Sequence, residues 1–202
     1  MSTFLEIPAL PSRSIVLHPP LSDEEFERLC ERTEGAFLER TREGTIIVDP
    51  PAGGMTSDGN KEITTQLSLW WRDHRRGRVF DSSAGFFLPD GSVLSPDAAY
   101  VSAKQLINLS REELARFPRL APAFVIELLS ISDSLAKTIG KMEAWRFNGV
   151  ELAWLVDPYA RQVYVYEAGA GTPRMETGSS VAGSGPVEGF ILDLEEIWHC
   201  YE

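Results

Sequence analysis

Cysteine is almost missing from this chain: Cys30 and Cys200 stand near opposite ends with no Cys-x-x-Cys pair. That argues against a disulfide framework or a zinc ribbon and leaves two reduced thiols as the expectation. The histidines, His18, His74 and His199, are scattered singly and make no imidazole metal set. Basic charge is also short, with 19 Lys and Arg against 30 Asp and Glu and a net charge of −11. A surface that coats nucleic acid is normally strongly basic, so that class is disfavoured, although a local basic cleft stays open. No apolar run approaches the roughly 20 residues that span a bilayer. The opening Met1-Ser2-Thr3-Phe4-Leu5-Glu6 has neither a basic nor an apolar leader region, so no signal peptide is expected and the protein is placed in the cytoplasm. The P-loop, the Gly-x-Ser-x-Gly elbow and the His-Glu-x-x-His signature are absent, and Gly183, Gly185 and Gly189 lack the context of a dinucleotide fingerprint.

What is present suits one globular domain over residues 1–202: 43% hydrophobic residues and 5 tryptophans. Prolines 8, 11, 19 and 20 mark residues 1–20 as an irregular arm. Ser22 and Glu25 form a capping box for a helix that ends at Gly35. Residues 36–40 and 45–49 read as a hairpin, and an amphipathic helix is expected from Asn60 to His74, closed by Gly77. Short strands are expected at 79–81, 85–88, 92–94 and 98–101, then a short helix capped by Ser110 and Glu113. A strand at 123–129, a helix at 133–148 and a strand at 152–156 form a βαβ-like unit. Residues 162–167 alternate as a further strand, 168–189 read as a mobile loop with one strand at most, and 190–198 fold the tail back onto the body. The expected class is α/β with a mixed sheet flanked by helices. Arg72, Arg75, Arg76 and Arg78 form the dense basic cluster, read as complementing a helix C-terminus in preference to contacting phosphate.

Two carboxylates carry the chemistry. Asp97 follows Pro96 at a strand start, and Glu127 interrupts the apolar run Ala123 to Leu129. A buried ionised carboxylate must be paired, hydrogen-bonded or bound to a metal, because desolvating it alone is costly. Mg²⁺ takes one or two carboxylates plus waters and substrate phosphate, so Asp97 and Glu127 are the candidate metal ligands. Lys137 and Lys141 lie four apart on the following helix and share a face, where a lysine can orient water or offset phosphate charge. The alternatives are plain: a turn aspartate, a buried ion-pair glutamate, and surface lysines behind a Ser132 or Asp133 cap. Together these residues make the elements of a divalent-metal phosphodiesterase.

Gly85 to Gly91, Ser95-Pro96-Asp97, Glu127 to Leu135, Lys141 to Trp145 and Gly149 to Pro158, in this order, resemble the Uma-two family of restriction-endonuclease-like PD-(D/E)XK proteins. The resemblance covers about residues 55–167. It implies a restriction-endonuclease-like fold with a central mixed β-sheet flanked by helices. It casts Asp97 and Glu127 as metal ligands, and Lys141 as the lysine in place of Leu129, where the wider pattern has one. It also offers Glu62 as a further acid and leaves Lys137 where relatives carry an acid. The expectation is an Mg²⁺- or Mn²⁺-dependent endonuclease that acts on DNA as a homodimer. The rival is a catalytically silent nuclease-fold protein serving as a binding or assembly module.

Overall fold

The computed structural model describes residues 13–18 and 20–202. The expected arm therefore lies largely outside the described residues, and its described part includes a strand, β1 (Arg13–Ile15), where irregular chain was expected. β1 pairs with β3 (Ile46–Asp49), which pairs with β2 (Phe37–Arg40), as the hairpin pattern required. These join β5 (Phe86–Phe87) and β6 (Val93–Leu94) in a five-stranded antiparallel sheet, ordered β1-β3-β2-β6-β5. Helix α1 (Asp23–Arg32), started by the reciprocal Ser22–Glu25 capping box, covers it through Phe26.

The second sheet carries the candidate carboxylates. Its six strands run β11 (Arg174–Glu176), β10 (Gln162–Glu167), β9 (Leu152–Asp157), β8 (Phe124–Leu128), β7 (Ala98–Val101) and β4 (Arg78–Asp81). In this sheet the β8–β9 pair is parallel, the two strands being joined by a crossover through α5 (Leu135–Phe147), and the other pairs are antiparallel. Strand alternation divides the core. Phe124, Ile126 and Leu128 face one side with Trp154 and Val156; Val125 and Leu129 face the other with Met142 and Trp145 of α5. The first side is closed by α2 (Gly54–His74), through Ile63 and Leu67, and by α6 (Leu194–His199), through Ile197 and Trp198.

Five local expectations need correction. Helix α2 begins at Gly54, six residues earlier than the apolar spacing indicated, because its first turns are polar and face a cleft. Its C-cap is Arg75, in the left-handed region at φ 52°, and Gly77 instead lies where a Cβ would stand 2.3 Å from the Val101 carbonyl oxygen. Helix α5 is preceded by Ser134, not by Ser132 or Asp133; Asp133 accepts from the Ser130 amide and hydroxyl instead. The segment read as a mobile loop holds β11, a two-stranded ribbon of β12 (Ser180–Ala182) with β13 (Ile191–Asp193), and a 3₁₀ turn at Gly185–Val187. Two short helices, α3 (Ala103–Leu106) and α4 (Arg111–Leu114), follow β7, each with a capping box; only the second had been expected.

Candidate functional site

Asp97 and Glu127 come together through strand register. Ala98 on β7 pairs antiparallel with Ile126 on β8. One step further along that ladder, Asp97 comes opposite Glu127, where facing residues share one side of the sheet at about 4.5–5.5 Å between Cα atoms. That side is the one covered by α5. Asp97 accepts from the Leu128 backbone N–H at 2.7 Å and from the Asn60 side-chain amide at 2.7 Å. Asn60 reaches it because Gly59 lets α2 approach β8: a Cβ there would lie 2.7 Å from Leu128 Cδ2. The Asn60 carbonyl oxygen is buried with no partner.

Glu127 is 4% exposed. Its Oε1 accepts from the Trp145 indole N–H at 2.8 Å, and its Oε2 from Lys141 Nζ at 3.0 Å. Trp145 and Lys141 sit four residues apart on α5, so one helix face delivers both donors. The Lys141 ammonium also donates to the Ser95 carbonyl at 2.8 Å and lies 2.9 Å from Glu39 Oε1. Glu39, on β2 and 8% exposed, accepts in turn from the Ser95 N–H at 2.9 Å. On that strand Leu38 points into the core beneath α1, and Arg40 bonds Asp23 and the Leu21 and Gly91 carbonyls. Phe37 and Glu39 therefore project from the opposite face, into the cleft.

Two carboxylates thus share one ammonium, with Asp97 near enough to feel its charge. Burial pushes the Glu127 carboxyl up to about 8 against the pull of Lys141, and Asp97 and Glu39 add to the rise. Burial likewise raises Asp97, outweighing Lys141, the Leu128 N–H and Asn60. For Lys141 burial alone would lower the value, but Glu127, Glu39 and Asp97 outweigh it and hold the ammonium well above the usual lysine range. The cleft over this cluster has a volume of about 880 Å³ and is lined by eight carboxylate side chains against three cations, Arg42, Lys137 and Lys141.

Of the residues singled out by sequence, Asp97, Glu127 and Lys141 meet. Lys137 lines the same cleft but turns to Asp49, 3.9 Å away, and is half exposed. Glu62 is not brought to the cluster: it accepts from Gln66, which in turn bonds the Asp193 backbone, on the far flank of α2. The position two residues earlier on the helix, Asn60, faces Asp97 instead. Glu39 was missed by sequence reading, as an acid beside Arg40 in a short strand looks like ordinary solvent-facing alternation. Trp145 packs in the core and is also the donor to Glu127.

Among the described residues, no group of three or more His, Cys, Asp or Glu is placed to hold a metal ion. The donors present suit a hard cation that keeps several waters: two opposed carboxylates, an unpartnered amide oxygen beside one of them, and a local excess of negative charge. Thiolate or imidazole ligands are not part of the cluster, so a zinc site does not fit.

The crystal structure of a putative nuclease belonging to DUF820 from Anabaena variabilis ATCC 29413 superposes with a TM-score of 0.74 at 22% identity over 91% of this chain and 100% of that one. That likeness fixes the fold as nuclease-like, with the mixed sheet flanked by helices. No curated protein matches the chain significantly. The family model for Uma2, described as "putative restriction endonuclease", matches residues 23–195. With most of its length inside that match, the chain belongs to the Uma2 family of restriction-endonuclease-like nucleases.

Proposed function

We propose that this protein is a divalent-metal-dependent endonuclease that hydrolyses DNA phosphodiester bonds, using Mg²⁺ or Mn²⁺. The observation that carries the reading is the opposition of Asp97 and Glu127 across β7 and β8, at the floor of an open cleft, with Lys141 bonded to Glu127. Asp97 and Glu127 would hold the ion, with the Asn60 carbonyl oxygen available beside Asp97. A bound divalent cation supplies charge neutralisation on the phosphate and lowers the pKa of water.

The chain's own residues do the rest. The Leu128 N–H and the Asn60 amide fix the Asp97 carboxylate, and the Trp145 indole fixes that of Glu127. Lys141, gripped by Glu39 and the Ser95 carbonyl, presents a positive charge at the cleft floor, where it orients the attacking water and offsets charge on the phosphoryl oxygens. Leu129, at the position where the wider superfamily has a lysine, is buried in the core beside Met142. Lys141 supplies the ammonium to Glu127 from the helix, so Leu129 does not by itself argue for a silent protein.

The test is cutting of circular and linear DNA with Mg²⁺, Mn²⁺ and excess chelator, for wild type, Asp97→Ala and Glu127→Ala. Activity should need the metal and vanish in both variants, and melting temperatures measured alongside should show each variant still folded, although lowered by the buried donors left unpaired at Leu128, Asn60 and Trp145. A wild type inactive across metals and substrates would leave the protein as a binding or assembly module.

A further inference from the structure

Away from Lys141 and the proposed metal position, the carboxylate cleft offers few phosphate contacts, with eight acids against three cations. A second cavity of about 660 Å³ adjoins it and shares Phe37, Pro51, Ala52, Asn60 and Ser82 with it. The second cavity is less acidic. Its wall is one face of α2, where Ser57, Lys61, Thr64, Ser68 and Arg72 recur at helical spacing, and among the described residues its only acid is Asp81. Lys61 is engaged with Asp58 at 2.6 Å, so its charge is shared, whereas Ser57, Thr64 and Ser68 offer hydroxyls along the groove. Where the cavities meet stands Phe37, an aromatic ring 45% exposed, although it begins a strand whose next three residues are buried.

We propose that the two cavities form one track for an unpaired nucleic-acid strand, with a base stacked on Phe37 and the phosphates leading away along the hydroxyl face of α2 to Arg72. The inference rests on the nuclease reading of the carboxylate cleft and names its substrate class. Charge decides between single strand and duplex. A duplex brings two phosphate rows and gains affinity by neutralising many of them. Here the acidic cleft would repel the second row, and the basic groups of the track are few. A single strand gains instead from stacking on an aromatic face and from a modest cationic and hydroxyl-lined groove.

The experiment is fluorescence anisotropy with a labelled phosphorothioate oligothymidylate, which resists cutting, free or annealed to its complement, in Mg²⁺. Single strand should bind at least tenfold more tightly than duplex. Phe37→Ala should weaken single-strand binding by about tenfold to a hundredfold, the range for loss of one stacked base, and Phe37→Trp should restore it. Arg72→Gln should lessen the salt dependence by about 0.7 in the log–log slope, one phosphate contact to a single strand. Phe37 and Arg72 lie outside the buried core, so matching melting temperatures can confirm that each variant is folded. Equal or tighter duplex binding, or Phe37→Ala binding like wild type, overturns the track. The two readings separate in a parallel cutting assay with unmodified DNA: preferential cutting of duplex sinks the track and keeps the nuclease. Tight single-strand binding with no cutting in any metal keeps the track and sinks the nuclease.

Discussion

Lys141 joins two sheets that are remote in sequence: its ammonium lies 2.9 Å from Glu39 on β2 and 3.0 Å from Glu127 on β8. A single cation on α5 thereby ties the N-terminal sheet to the central one at the floor of the cleft. The consequence is that the ammonium is not free to swing; under the proposed function, Glu39 would hold it in place if Glu127 turned to a metal ion.

Glu39→Gln keeps the side-chain shape and the hydrogen bond from Ser95 but removes the charge that grips Lys141. Single-turnover cutting should fall by about tenfold to a hundredfold, the scale of a misplaced catalytic group, while the Mg²⁺ concentration for half-maximal rate changes little. Glu39→Asp should recover part of the rate. A rate unchanged in Glu39→Gln would show that Lys141 holds its place without Glu39.

Lys141→Ala and Lys137→Ala should separate sharply. Lys141 is about one-quarter exposed and neutralises Glu39 and Glu127, so its removal strands buried charge, at a cost of about 3–5 kcal/mol at neutral pH. Lys137 is half exposed and 3.9 Å from Asp49, so its loss should alter stability by no more than about 0.5 kcal/mol. Urea unfolding of the two variants checks this; equal destabilisation would contradict the assigned geometry.

Stability without metal should fall as pH rises. Glu127 is held up to about 8 in the folded chain, against an ordinary value of 4.5. A carboxyl with a raised folded pKa binds its proton more tightly in the folded state, so its stabilisation is complete below the unfolded value and is lost as pH climbs through the folded one. The melting temperature of metal-free protein should therefore decline between about pH 4.5 and 8, and Glu127→Gln should flatten the decline. Divalent cation added at the upper end should restore the loss by mass action. A melting temperature that rises with pH across this window in wild type, and not in Glu127→Gln, would reverse the assignment.

Asn60→Asp places a third carboxylate beside Asp97 and removes the amide that donates to it at 2.7 Å. Like charges at close range raise one another's pKa and destabilise the ionised state. The metal-free variant should melt lower than wild type at neutral pH, yet bind Mg²⁺ or Mn²⁺ more tightly, as isothermal calorimetry can measure. Weaker metal binding would mean that the Asn60 oxygen faces away from the ion.

Much of this was readable from sequence, for local reasons. The Ser22–Glu25 box, the hairpin over Phe37 to Asp49 and the β8–α5–β9 unit each follow from caps, turns and apolar period within a few residues. Glu127 declared itself because a charge inside Phe124 to Leu128 needs a partner, and Asp97 because it follows Pro96 at a strand start. Lys141 was also legible, from helical spacing and the resemblance to a family.

Tertiary structure alone decided the remainder. Glu39 enters the cluster because one face of β2 meets a helix about a hundred residues later, and no local pattern distinguishes that face from one in water. Glu62 and Asn60 are two positions apart on α2, which turns them to different sides of the helix. Which one faced the cleft depended on how closely Gly59 let α2 approach β8. Sequence periodicity fixes which residues share a face, whereas the partner that covers the face is set by long-range packing of sheet and helix.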